Sequence, residues 1–142
     1  MSNEKLIEAE LVGLLESANY IASNAIPVFP CGDIPEGTKA FARVEVEPID
    51  QDERHVGTKH YNCVINLIAA AEIQHDKDGD KRSAIQADCF AVAKALTPLG
   101  LTGATGLQID GIIQDGGSRS THDFGPQYSV VSVRRRLFMT LD

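Results

Sequence analysis

Asp115, Ser118, Ser120, His122 and Asp123 bring the parts of a hydrolytic triad into one stretch of this chain. A hydroxyl, an imidazole and a carboxylate in hydrogen-bond contact make a serine nucleophile. The stretch DGGSRSTHDFG is also ordinary loop composition, because Gly, Ser and Asp favour turns. It carries no G-x-S-x-G elbow and no sequence that supplies an oxyanion hole. It is read as a polar loop. Asp76, Asp78, Gly79 and Asp80 suggest calcium, which needs a loop with Gly at its sixth position and Glu at its twelfth. Counted from Asp76, the Gly is fourth and the twelfth residue is Ala87. A solvated turn that caps a helix is the better reading. His55, His60, His75 and His122 are scattered, whereas zinc takes ligands at paired short spacings. They are read as solvent-exposed. In GLTGATG, from Gly100 to Gly106, the glycines are three apart and follow a helix, so this is not a dinucleotide fingerprint. No Walker sequence and no H-E-x-x-H occurs. Neither a catalytic site nor a cofactor is expected.

One run resists this sorting. Arg134, Arg135 and Arg136 are consecutive on a stretch that otherwise alternates as a strand. A strand sends successive side chains to opposite faces, so at least one arginine points into an apolar row. A bulge, or a stem that snorkels beneath a helix, is one account. The other is an exposed sheet face where Arg134 and Arg136 meet the acids of a neighbouring subunit, since Arg forks grip carboxylates. Glu45, Glu47, Asp50, Asp52 and Glu53 are the candidate acids.

The elements that must position these residues follow from periodicity. HYNCVINLIAAAEI, from His60 to Ile73, is the longest apolar run and reads as a central strand. Tyr61, Cys63, Ile65, Leu67, Ala69, Ala71 and Ile73 share one face. Asn62, Val64, Asn66, Ile68 and Ala70 share the other, polar at its start and apolar further on. A helix is expected over Asn3 to Ala18, with Ile7, Leu11, Leu14 and Ala18 as its stripe and Leu6 and Leu15 beside it. Tyr20 to Thr38, with Pro27, Pro30 and Pro35, reads as extended and irregular. Phe41 to Val46 is a strand that ends at Pro48. Asp80 or Ser83 starts a second helix with Ile85, Cys89, Val92 and Leu96 on one stripe, ended by Pro98 and Gly100. Leu107 to Gln114 and Gln127 to Leu141 are the last two strands. Asp50 to Thr58 and Gly116 to Gly125 are long polar loops, which on compact domains tend to carry function.

The expected fold is one α+β domain over residues 1–142, in the order α-β-β-α-β-β. It has a four-stranded, mainly antiparallel sheet with two helices packed on one face. The chain has 142 residues and a formal charge of -7. That charge, without a basic cluster, makes it a poor fit to a phosphate backbone. No run reaches the roughly 18 to 20 apolar residues of a membrane span, and the acidic start is unlike a signal peptide. A soluble protein made in a cytoplasm is expected. Cys31, Cys63 and Cys89, odd in number and widely spaced, read as reduced, small apolar core residues.

This layout resembles the tail terminator and tail completion proteins of long-tailed bacteriophages and prophages. IPVFPCGDIPEG resembles their extended lead-in, HYNCVINLIAAAEI their central strand, SAIQADCFAVAKAL their second helix and YSVVSVRRRLFMTL their final strand. The likeness spans Glu4 to Leu141 and rests on layout, not on a signature motif. It implies a structural protein, not an enzyme, that forms a ring, commonly of six, ends the tail tube and joins it to the head. The implied partners are further copies of itself, the tail tube protein and the head-tail connector protein, with no sequence-specific nucleic acid and no membrane. The implied place is the virion tail, assembled in the host cytoplasm. Arg134, Arg136, Glu45, Glu47, Asp52 and Glu53 are the candidate interface. Asp50, His55, Gly57, Ser118, Arg119 and His122 lie on loops that face the lumen or a partner. Another virion joining protein, such as a connector or a tube subunit, remains an alternative. So does a small α+β ligand-binding domain or enzyme.

Overall fold

The apolar run after His60 is a strand. In the computed structural model, which describes residues 2–51, 60–76, 78–114 and 127–141, β4 spans His60–Glu72. It pairs antiparallel with β2 (Ala40–Val46) on one side and with β6 (Tyr128–Thr140) on the other. β5 (Gln108–Gln114) adds antiparallel to the far side of β6. β1 (Val28–Phe29) runs parallel to β2 at its outer edge, and β3 (Asp50–Gln51) pairs with β4 beyond the end of β2. The path across the sheet is β1-β2-β4-β6-β5, with β3 off it.

The fold is α+β; among the described residues the sheet has six strands, not four, and it is mainly antiparallel, with β1–β2 its parallel pairing. The two additions, β1 and β3, have two residues each. That is too short for any alternation to show in sequence.

Four helices are present among the described residues: α1 (Asn3–Glu16), α2 (Asn19–Ser23), α3 (Asp80–Ala95) and α4 (Pro98–Thr105). Ser2 caps α1 through its side chain. Two helices were not expected. α2 falls where the prolines downstream favoured an irregular segment. Its tie to the body is Asp88 on α3, whose buried Oδ2 accepts the Ile21 N–H at 2.7 Å. α4 falls where Pro98 and Gly100 were read only as an ending. Pro98 instead opens the next helix, where its missing N–H costs nothing. Thr97 Oγ1 accepts the Gly100 N–H at 3.0 Å.

The main core lies between the helices and one face of the sheet. Ile7, Leu11 and Leu15, with Ile85, Cys89 and Leu101, pack on Val44, Ile65, Leu67, Val133 and Leu137. The α1 stripe is therefore Ile7, Leu11 and Leu15, at a spacing of four. Leu14 is 36% exposed, which corrects the expected stripe. Gly13 serves no close approach, because a Cβ there meets nothing within 4 Å. Cys63 and Cys89 are buried thiols as expected, whereas Cys31 is exposed.

Candidate functional site: the face of the sheet turned away from the helices

The face of the sheet turned away from the helices has two zones. At one end Phe41, Ile68, Ala70 and Val130 form a small second core, with Phe29, Ile34 and Tyr128 packed on it. Phe41 meets Phe29 edge-on at 5.8 Å and Tyr128 at 5.6 Å, the arrangement aromatic quadrupoles favour. Residues 30–38 cross this end as a strap. Tyr128 donates its hydroxyl to the Thr38 carbonyl at 2.5 Å, and Arg43 Nη2 donates to Cys31 Sγ at 3.6 Å. Burial, and then the Glu72 carboxylate, push the Tyr128 phenol above its ordinary value. Between strap and sheet is a cleft of about 530 Å³ whose lining includes Asp33, Glu36, Arg43, Glu72 and Tyr128.

The other zone is polar, and the register explains its pattern. Glu45 stands opposite Asn66, and Asn66 opposite Arg134, so the three make one row across the sheet. Val64 stands opposite Arg136, and Asn62 opposite both Asp50 and Phe138. Glu45 and Asp50 therefore lie on the β2 and β3 side of β4, with Arg43 beside Glu45, and Arg134 and Arg136 lie on the β6 side. Arg43 lies 3.4 Å from Glu45, and Arg134 lies 3.7 Å from Glu47. Asn66 is only 5% exposed, yet its Oδ1 has no hydrogen-bond partner among the described residues. The buried Oδ1 of Asn62 lacks one too. An unpaired buried acceptor costs about 1–3 kcal/mol.

The arginine run divides as a strand must. β6 keeps its pairing with β4 unbroken through Arg134, Arg135 and Arg136, so no bulge there accommodates them. The bulge of the sheet is in β5, between Ile109 and Gly111. Arg135 takes the helix side, where it is 8% exposed. Its Nη1 donates to the Arg134 carbonyl at 2.7 Å, and its guanidinium lies 5.9 Å from the centre of the Phe90 ring. That is the snorkelling arrangement, with a cation on an aromatic face. Arg134 and Arg136 take the side turned away from the helices.

The structure thus brings Arg134, Arg136, Glu45 and Glu47 onto one face, and Asp50 onto its margin. Asp52, Glu53, His55, Gly57, Ser118, Arg119 and His122 lie outside the described residues, as do Asp115, Ser120 and Asp123. Asp76 is a cap. Its two oxygens accept the N–H groups of Lys81 and Arg82, each at 3.0 Å. Desolvation raises its pKa, but those two hydrogen bonds and the Lys81 and Arg82 charges together bring it below the ordinary value. Among the described residues no group of three His, Cys, Asp or Glu side chains could hold a metal ion. No described helix is long and apolar enough to cross a membrane. His60 and His75 are exposed. Burial is the main cause that pushes the Cys63 and Cys89 thiols up to about 12, so neither is a nucleophile at neutral pH.

Asn62 and Asn66 were not singled out from sequence. Their signal was present, as two amides within an apolar central strand, but it needed the pairing of both neighbours to acquire meaning. The extended segment after α2 packs along the body as its prolines and apolar residues suggest, with Ile26 and Val28 on the main core and Phe29 on the second. The chain matches no protein-family model and no curated protein.

Proposed function

We propose that this chain is a structural subunit of a phage or prophage tail, one that forms a ring, commonly of six, ends the tail tube and joins it to the head. The observation that carries the reading is the order of elements. A long central strand and a long final strand are joined through an amphipathic helix, behind an N-terminal helix and a proline-rich lead-in. The polar face turned away from the helices supports it. A ring subunit needs a surface that is complementary to another copy, and Arg134 and Arg136 beside Glu45 and Glu47 offer both signs of charge. Asp52 and Glu53 extend the acidic side in sequence. On this reading the chain works without cofactor or catalysis. Its partners are its own copies, the tube protein and the connector.

A second reading, a small ligand-binding domain, has one observation in its favour, the cleft beneath the strap. Its volume lies in the range of ligand pockets, but its lining is mixed in charge. Complementation of tail completion by a variant carrying Arg134→Glu and Arg136→Glu tests the first reading, with circular dichroism of the purified variant as control. A folded variant that fails to complete tails supports the arginine face as a contact. Full complementation removes it, and the wild-type chain failing to join tails removes the reading itself.

A further inference from the structure

We infer that the strap, residues 30–38, is a latch: it lifts from the sheet as a local unit, with β2, β4, β6 and the helices intact, and bares apolar surface that it otherwise hides with Ile34. The surface is the second core. Phe41, Ile68 and Ala70 are fully buried and Val130 nearly so, on the face turned away from the helices. Phe29, Tyr128 and Ile34 are the partly buried side chains packed on them. Phe29 and Tyr128 belong to strands and are held by their pairing with β2 and β4. Ile34 lies outside any strand.

The way the strap is held supplies a second, independent observation. Pro30 and Pro35 lack the N–H that a ladder needs. Among the described residues no backbone–backbone hydrogen bond joins residues 30–37 to the sheet. Such bonds stand only at its two feet. The Ala42 N–H donates to the Pro27 carbonyl at 3.0 Å, and the Glu72 N–H to the Lys39 carbonyl at 2.7 Å. The strap itself is tied through side chains, by the Tyr128 hydroxyl on the Thr38 carbonyl and by Arg43 on Cys31. Between these ties it stands off the sheet, which leaves the cleft of about 530 Å³, and Asp33 and Glu36 are exposed. It also keeps its own shape at one foot, where the Thr38 N–H closes a turn on the Pro35 carbonyl at 3.3 Å with Gly37 at φ 86°. Lifting the strap therefore breaks no strand pairing. A segment with few buried apolar contacts and no ladder opens before the body does. Apolar surface bared at all times invites association. A cover seated by one aliphatic side chain hides it until the strap lifts, which makes the strap an autoinhibitory contact.

The inference concerns the apolar end of the face, away from Arg134 and Arg136, and does not rest on the tail reading. Maleimide labelling of the full chain without denaturant is the test. Ala70→Cys puts a thiol beneath the strap, and Cys31→Ser removes the exposed thiol while leaving Arg43 a side-chain acceptor. Cys63 and Cys89, buried beneath the helices, are references within the same molecule. Residue 70 is expected to react about tenfold faster than either reference, because local opening is more frequent than global unfolding. Residue 70 reacting no faster than Cys63 and Cys89 overturns the inference, since the strap then leaves only when the whole fold does. Ile34→Asp, added to the same chain, is expected to speed residue 70 by about a further tenfold and to leave the reference thiols nearly unchanged. An equal acceleration of all three thiols overturns the latch, because Ile34 then belongs to the core that holds the whole domain. If Ala70→Cys fails to fold, Val130→Cys replaces it and is read in the same way.

Discussion

The two faces of this sheet use the same strands for different ends. Toward the helices β4 presents Cys63, Ile65, Leu67, Ala69 and Ala71, all buried and all apolar. Toward the other side it presents Asn62, Val64, Asn66, Ile68 and Ala70, which change from polar to apolar along the strand. The first face is held by burial, which is non-directional and scales with area. The polar end of the second holds ion pairs and buried amide oxygens without partners among the described residues. One strand therefore anchors the domain on one side and carries polar groups on the other.

The largest expected effect breaks the first face. Leu67 is 1% exposed between strands and helices, and Leu67→Ala is expected to lower stability by about 2–5 kcal/mol in urea melts. A loss below about half a kcal/mol would place the fold's main core elsewhere. Next is Asp88→Ala, which orphans the Ile21 N–H. It is expected to cost about 1–3 kcal/mol and to speed amide exchange in α2 before the rest.

Thiols report on both faces at once. In the native protein a maleimide is expected to label Cys31 on the strap side and to spare Cys63 and Cys89 beneath the helices. The buried thiols also give an alkaline limit. Their pKa rises from 9.0 to about 12 on folding, so the folded state keeps protons that the unfolded chain has lost. Their contribution is whole below pH 9 and is lost as pH rises through that window. Melting temperatures against pH, compared with Cys63→Ala, check the sign. The smallest effect is a gain. Gly13 lies in α1 with open space around it, and Gly13→Ala is expected to add about 0.5–1 kcal/mol.

How much of this was legible in the sequence depended on the length of each signal. β4, β6 and α3 are long and periodic, so their type and place could be read from spacing. The two-residue strands β1 and β3 carry no period. α2 and α4 were hidden by the prolines near them, because the same residue that ends one helix can begin another. The candidate site was legible only by half. Arg134 and Arg136 stood out as charges on a strand, and Glu45 and Glu47 as acids on another. That they share a face with the buried amide oxygens of Asn62 and Asn66 depends on the order β2-β4-β6 across the sheet. Loop lengths and charges alone do not dictate that order.

The central claim is that one face of the sheet holds the fold while the other joins copies of the chain. Urea unfolding measured over a wide range of protein concentration tests it most directly, because association that exists only in the folded state makes stability concentration-dependent. The account predicts a midpoint that rises with concentration for the wild type and stays fixed for the variant carrying Arg134→Glu and Arg136→Glu. A wild-type midpoint that does not move across that range would contradict it.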